Sequence, residues 1–285
     1  MRKIKYLLAV GVMSTALLFG CGSNDEKDSD NSNASAITPE EFIEKVGASE
    51  TDIKSLEFGV SGEIDASSST GEETSEIKGS ASLDGKANIE SNTYQFTVSF
   101  NVDGMSMEIE CYLVIDEEAP TVYYCMQGMW YKMSLSMDEL EGMMSANVDV
   151  DTESAATADL SNVLEYLKDT SVEAADGAYT LKGVLDLEKI LNDAATEAET
   201  DISEYEDIFK DLNINVNVSI NSEDNTFKSS DIIVNDFSTE YKGETIKINK
   251  LKLSIYASNY NGVGEITLPE EAANATDLSG MTSIY

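Results

Sequence analysis

Two adjoining runs limit what this chain can fold into. Tyr94, Phe96, Val98, Phe100 and Val102 recur at every second position, and so do Met105, Met107, Ile109, Cys111, Leu113 and Ile115. A period of two places one set of side chains on a single face of a strand. Asp103-Gly104, between the runs, is the two-residue signal of a tight hairpin. The pair therefore predicts antiparallel strands with one apolar and one polar face. Leu56, Phe58, Val60 and Ile64 alternate in the same way, and Ile77, Ala81 and Leu83 do so more weakly. Asp84-Gly85 carries turn chemistry, and Val122 to Leu135 extends the meander as one further strand.

Helical spacing frames and interrupts these strands. Thr38 caps a helix, Pro39 suits its first position, and Glu41 completes a capping box. Leu160, Val163, Leu164 and Leu167 have helical spacing, as do Leu187, Ile190, Leu191 and Ala194, then Ile208, Phe209 and Leu212. A short strand, Tyr179 to Leu185, is expected between the first two. Strand patterning returns at Ile214, Val216, Val218 and Ile220. It continues through Ile232, Ile233 and Val234, then Ile246, Ile248, Leu251, Leu253 and Ile255, and ends at Val263 to Leu268. A meander, helices and a second meander make an α+β chain.

The N-terminus has the three parts of an export signal. Arg2, Lys3 and Lys5 precede a largely apolar stretch, Tyr6 to Phe19, too short to span a bilayer comfortably. Leu18-Phe19-Gly20-Cys21 follows and resembles the lipobox of bacterial lipoproteins. The resemblance implies that residues 1–20 are removed and that Cys21 carries diacylglycerol, with palmitate-type acyl chains. Residues 22–36, GSNDEKDSDNSNASA, hold no aliphatic side chain larger than alanine. Such a stretch cannot offset its ordering entropy. Residues 21–36 are therefore expected to form a tether, with an r.m.s. span of roughly 20–25 Å.

Charge excludes several functions. The 285 residues carry 54 acids against 18 bases and no histidine, a formal net charge of −36, and loss of residues 1–20 deepens it by three. No basic footprint for nucleic acid exists, nor a polybasic patch for anionic lipid. The absence of histidine removes the commonest acid/base catalyst and most catalytic zinc designs. Ser75-Glu76-Ile77-Lys78 matches S-x-x-K only formally, within a strand pattern and without partner motifs. Asp149, Asp151 and Glu153, and Asp201, Glu204, Glu206 and Asp207, are oxygen-rich but lack the calcium-loop pattern, so they are read as solvated faces. Neither an enzyme, a metal site nor a cofactor is expected.

Export permits a disulfide. A hairpin centred on Glu118 pairs residues whose numbers sum to 236, and Cys111 and Cys125 satisfy that sum. The same register sets Met107 opposite Met129 and Leu113 opposite Tyr123. Opposed cysteines of this kind can bridge, contributing about 3 kcal/mol. The alternative is two reduced cysteines serving as small hydrophobes.

The lipobox, the short helix, the long meander, the central helices, the second meander and the closing Ile266 to Ala272, ITLPEEA, together resemble the lipoprotein-carrier half-barrel of the LolA/LppX-like kind. They also resemble poorly characterised surface lipoproteins of Gram-positive anaerobes. The resemblance implies, for residues 37–285, a large curved antiparallel sheet, an unclosed half-barrel, with helices packed in its concavity. It also implies room there for a lipid or acyl chain. Eight of the eleven methionines fall between Met105 and Met144. Methionine is flexible and accepts variable apolar partners. Met105, Met107, Met129 and Met133, with Phe96, are the expected ligand-binding residues, and Met126 and Trp130 are expected on the opposite face. The plainer reading of these methionines is ordinary core. The functional expectation is an extracytoplasmic, lipid-anchored, non-catalytic protein binding a lipid or acylated peptide. The alternative is an interaction protein of the envelope with a self-filled core.

Overall fold

The computed structural model describes residues 37–46, 48, 51–71, 73–116, 119–136, 160–198 and 208–279. The signal, the tether, Cys21, Met137, Met143, Met144 and both acidic clusters lie outside these residues. The described strands are β1 (Ser55–Thr70), β2 (Glu73–Asn88), β3 (Thr93–Val102), β4 (Met105–Ile115), β5 (Pro120–Met126), β6 (Met129–Ser134), β7 (Leu167–Ala175), β8 (Ala178–Leu185), β9 (Asn215–Asn221), β10 (Phe227–Tyr241), β11 (Glu244–Ser258) and β12 (Thr276–Asp277). They form one sheet in the order β12-β6-β5-β4-β3-β2-β1-β11-β10-β9-β8-β7. It is unclosed among the described residues, and its short edge strand β12 runs parallel to β6.

Four hairpins use the same device. Asp103-Gly104, Gln127-Gly128, Asp176-Gly177 and Lys242-Gly243 each place two consecutive residues at positive φ, from 50° to 84°. That geometry matches strand twist and tolerates glycine at the second position. Gln127-Gly128 splits the single strand expected over Val122 to Leu135 into β5 and β6. Asp84-Gly85, expected at a turn, lies instead inside β2. Val263 to Leu268, expected as a strand, has no regular structure.

The chain divides into two compact units. The described residues within Met1–Asp52, Gly62–Lys78 and Val150–Tyr256 form the first, and those within Ile53–Ser61, Gly79–Asp149 and Ala257–Tyr285 the second. In the first unit, α1 (Pro39–Val46) begins with the reciprocal capping box: Glu41 N–H donates to Thr38 Oγ1 (3.2 Å) and Thr38 N–H to Glu41 Oε2 (2.8 Å). Phe42 of α1 is 1% exposed and packs with Tyr179, Leu181 and Ile220. Helix α2 (Leu187–Ala198) buries Ile190 against Leu185, Ile214, Val216, Val234 and Phe237. Tyr179, Leu181 and Leu185 alternate along β8, so both helices cover the same face of that strand. Helices packed in a concavity are not shown by the described residues, whose helical parts are these two short α-helices, two 3-10 turns and Ile208–Phe209. The helix expected to include Leu167 is only a 3-10 turn, Leu160–Tyr166, and Leu167 opens β7 instead.

Candidate functional site

The second unit brings the sequence-selected residues onto one sheet face. In the β3–β4 register, Phe96 pairs with Cys111, Val98 with Ile109, Phe100 with Met107 and Val102 with Met105. In β4–β5, Leu113 pairs with Val122 and Cys111 with Tyr124. In β5–β6, Val122 pairs with Met133, Tyr124 with Tyr131 and Met126 with Met129. Directly paired residues share a face. Phe96, Met105, Met107, Met129 and Met133 therefore all project to the same side. Met126 joins them, contrary to expectation, because the β4–β5 register pairs Cys111 with Tyr124 and so brings the even-numbered residues of β5 to this side. Trp130 projects to the other side, opposite Cys125.

This methionine face is graded along its strands. Cys111 is buried, while Phe96 and Met133 are half-buried. Toward the β3–β4 and β5–β6 turns the face opens: Phe100, Val102, Met105, Met107, Met126 and Met129 are all exposed, Met105 by 75%. Contiguous exposed apolar side chains of this kind mark contact surfaces. The opposite face is polar. Tyr112, 4% exposed, donates its hydroxyl proton to Glu110 Oε1 (2.8 Å) and accepts from Gln95 Nε2 (2.9 Å). Burial, then the Glu110 hydrogen bond and charge, push its phenol well above the usual range. The Tyr112 and Trp130 ring centroids lie 5.9 Å apart.

The disulfide expectation is corrected by the register. Observed β4–β5 partners sum to 235, so Cys111 faces Tyr124 and Cys125 faces Glu110. The shift arises at the connection, where Ile115 pairs with Pro120 and Ala119 N–H donates to Asp116 Oδ1 (2.9 Å). A one-residue difference puts the two sulfurs on opposite faces, and both cysteines are free. Met107 likewise does not pair with Met129. Burial, then Glu110, push the Cys111 thiol up to about 11, so it is protonated and unreactive at neutral pH.

The concavities lined by described residues include two, neither of which is lined by any of the five expected ligand-binding residues. One, of about 260 Å³ in the second unit, is polar and includes Glu57, Lys86, Gln95 and Asn259. The other, of about 290 Å³, lies beside α2 in the first unit. Its lining residues Leu187, Leu191, Phe209 and Leu212 show only helical spacing in the sequence. Lys168 and Lys210, which also line it, are basic residues in an acidic chain, the one signal that could have drawn attention to them.

A protein family described as a family of unknown function, DUF6612, matches residues 38–277. The chain belongs to the DUF6612 family. This DUF6612 member is also similar to a solved beta-barrel-like protein of domain of unknown function DUF1849 from Brucella abortus. That similarity has 9% identity and a TM-score of 0.23, covering 72% of this chain and 99% of that one. A DUF1329 family protein from Desulfovibrio piger matches at 10% identity and a TM-score of 0.22, covering 93% of this chain and 98% of that one. Likenesses this distant carry no argument about function. No curated protein matches the chain.

Proposed function

We propose that this DUF6612 member is a lipid-anchored extracytoplasmic protein that holds an apolar ligand, a lipid or an acylated peptide, against its methionine face and catalyses no reaction. The Leu18 to Cys21 lipobox supports the anchor. The observation that carries the ligand reading is the convergence of Phe100, Val102, Met105, Met107, Met126 and Met129, all exposed, on one side of β3–β6. Removing such surface from water contributes roughly 25 cal/mol per Å², and methionine adapts to ligands of differing shape.

The openness of that face favours a second reading, contact with another envelope protein, because the methionines do not line either described concavity. Native mass spectrometry of the mature chain from its own envelope separates the two. The first reading predicts a bound lipid mass that is lost on denaturation and missing from Met107→Asp and Met129→Asp variants. A chain that carries no lipid and takes none up, yet crosslinks from position 129 to an envelope protein, supports the second. A chain retaining Met1 in the cytosol removes the anchor from both.

A further inference from the structure

We propose that Met105, Met107, Met126 and Met129 form a peroxide-oxidised modification site, and that sulfoxide formation there switches the methionine face from apolar to polar and releases what it holds. The inference rests on reading that face as a contact surface, and it adds the regulation of the same site. Five methionines lie among the described residues, and none belongs to the buried core. The core clusters of the first unit are built from aliphatic and aromatic side chains instead. Met105, Met129, Met107 and Met126 are 75%, 56%, 48% and 38% exposed, and Met133 is half-buried. Met105 directly follows the Asp103-Gly104 turn, and Met126 and Met129 flank the Gln127-Gly128 turn as direct partners. Met107 lies one alternation further along β4. The four thioethers are thus gathered at the open end of one sheet face, where solvent reaches them.

Oxidation of a thioether needs no prior deprotonation, so access decides which sulfur reacts. The sulfur bonds one oxygen of hydrogen peroxide, the O–O bond breaks, and the other oxygen leaves as water. The sulfur gives up two electrons and the peroxide takes them. The product is a polar, chiral sulfoxide that a reductase can return to the thioether. Thiols do not take this role here. Cys111, on the same face, is buried with its thiol pushed up to about 11, and Cys125 faces the other side. Hydrogen peroxide is uncharged, so the net charge of −36 does not hold it off as it would an anionic oxidant. None of the four side chains is part of the buried core. Their oxidation therefore leaves the fold intact while it removes apolar surface from the face. Tyr131 donates its hydroxyl proton to Met129 Sδ (3.8 Å), which engages one sulfur lone pair. Met105, the most exposed, is thus expected to react first, and half-buried Met133 last.

The test uses the mature chain with Cys21→Ser, which carries no acyl group, under graded hydrogen peroxide. Peptide mass mapping should show sulfoxide first at Met105, then at Met107, Met126 and Met129, and only afterwards at Met133. Nile red, a neutral apolar dye, reads the face. Its fluorescence on the chain is expected to fall as the four sulfoxides form, with the urea midpoint unchanged. It should return after treatment with methionine sulfoxide reductases of both epimer specificities and dithiothreitol. A variant carrying Met105→Leu, Met107→Leu, Met126→Leu and Met129→Leu keeps the apolar surface without sulfur, and should bind the dye equally before and after peroxide. Oxidation of Met133 together with or ahead of Met105 overturns the modification site. Dye binding that survives all four sulfoxides, or that peroxide also removes from the leucine variant, overturns the switch. A urea midpoint that falls with oxidation overturns it too, because the loss then reports unfolding. Should the leucine variant fail to fold, reductase rescue of the wild type decides, and fluorescence that does not return overturns the switch. Where oxidation and dye loss follow the expected course but native mass spectrometry finds no lipid on the reduced envelope chain, the lipid reading alone fails, and the switch stands for a protein partner.

Discussion

Gly85 and Phe96 are direct partners across β2 and β3, and a β-carbon built on Gly85 would stand 2.9 Å from the Phe96 β-carbon. It would also meet Phe58 Cζ at 2.9 Å and the Gln95 carbonyl oxygen at 2.8 Å. The glycine is the slot that lets two aromatic side chains close over β2. Gly85→Ala forces this packing apart and is expected to cost about 1–3 kcal/mol. Urea denaturation of the variant measures the loss, and an unchanged midpoint would contradict the close approach.

Tyr112 supports the polar face beneath the methionines. Tyr112→Phe removes its hydrogen bonds to Glu110 and Gln95 and leaves those groups short of a partner, for an expected cost of about 1–2 kcal/mol. Its phenol is raised in the folded state. The associated stability is therefore complete below the unfolded tyrosine value of about 10 and is lost as pH climbs above it. Phenolate absorbance during alkaline titration should show one more tyrosine held back from ionising until unfolding in the wild type than in the variant.

Asp186 caps α2 through Lys189 N–H (3.0 Å) and bonds Lys168 (2.9 Å). Burial pushes its carboxyl up, but the Lys189 amide and the Lys168 ammonium outweigh that and hold it below the ordinary value. Its contribution is present above the unfolded value of about 3.9 and disappears as pH falls through the lower folded value. Asp186→Ala should cost about 1 kcal/mol at neutral pH. Thermal melts across pH should show the two proteins converging in strong acid.

Thiol chemistry tests the β4–β5 register. Cys125, half-buried, should react with a thiol reagent in the native protein, whereas buried Cys111 should react only on unfolding. The unreduced chain should retain both thiols by mass. A Cys111–Cys125 disulfide would require the alternative register.

Legibility in the sequence followed burial contrast. The β3–β4 hairpin was readable because an apolar face alternates with a polar one and Asp103-Gly104 marks the reversal. The α1 cap was readable because Thr38 and Glu41 satisfy each other locally. Met105, Met107, Met129 and Met133 share the expected face because two departures cancel: the β4–β5 register is one residue off, and the Gln127-Gly128 turn inverts the alternation back for β6. All of β5 takes the face opposite to the expected one, Tyr123, Cys125 and Met126 included. Polar elements were less visible. Edge strand β7 exposes most of its side chains, so little apolar periodicity records it. Gly85 resembled a turn because sequence cannot distinguish a glycine required by φ from one required by a neighbouring ring. The concavity beside α2 was invisible because its lining comes from β7, β8, α2 and the turn after Phe209, which only tertiary structure assembles.

The sheet order carries a kinetic consequence. Neighbouring strands are consecutive in the chain except at the short β12 and at the meeting of β1 with β11, where Glu63 bonds Lys250 across 187 residues. During synthesis, the front strands can zip together early, but one flank of β1 stays bare until nearly the whole polypeptide has emerged. That late, long-range closure is the expected bottleneck of maturation, and any premature stop before β11 would release a fragment with an unprotected template for aggregation.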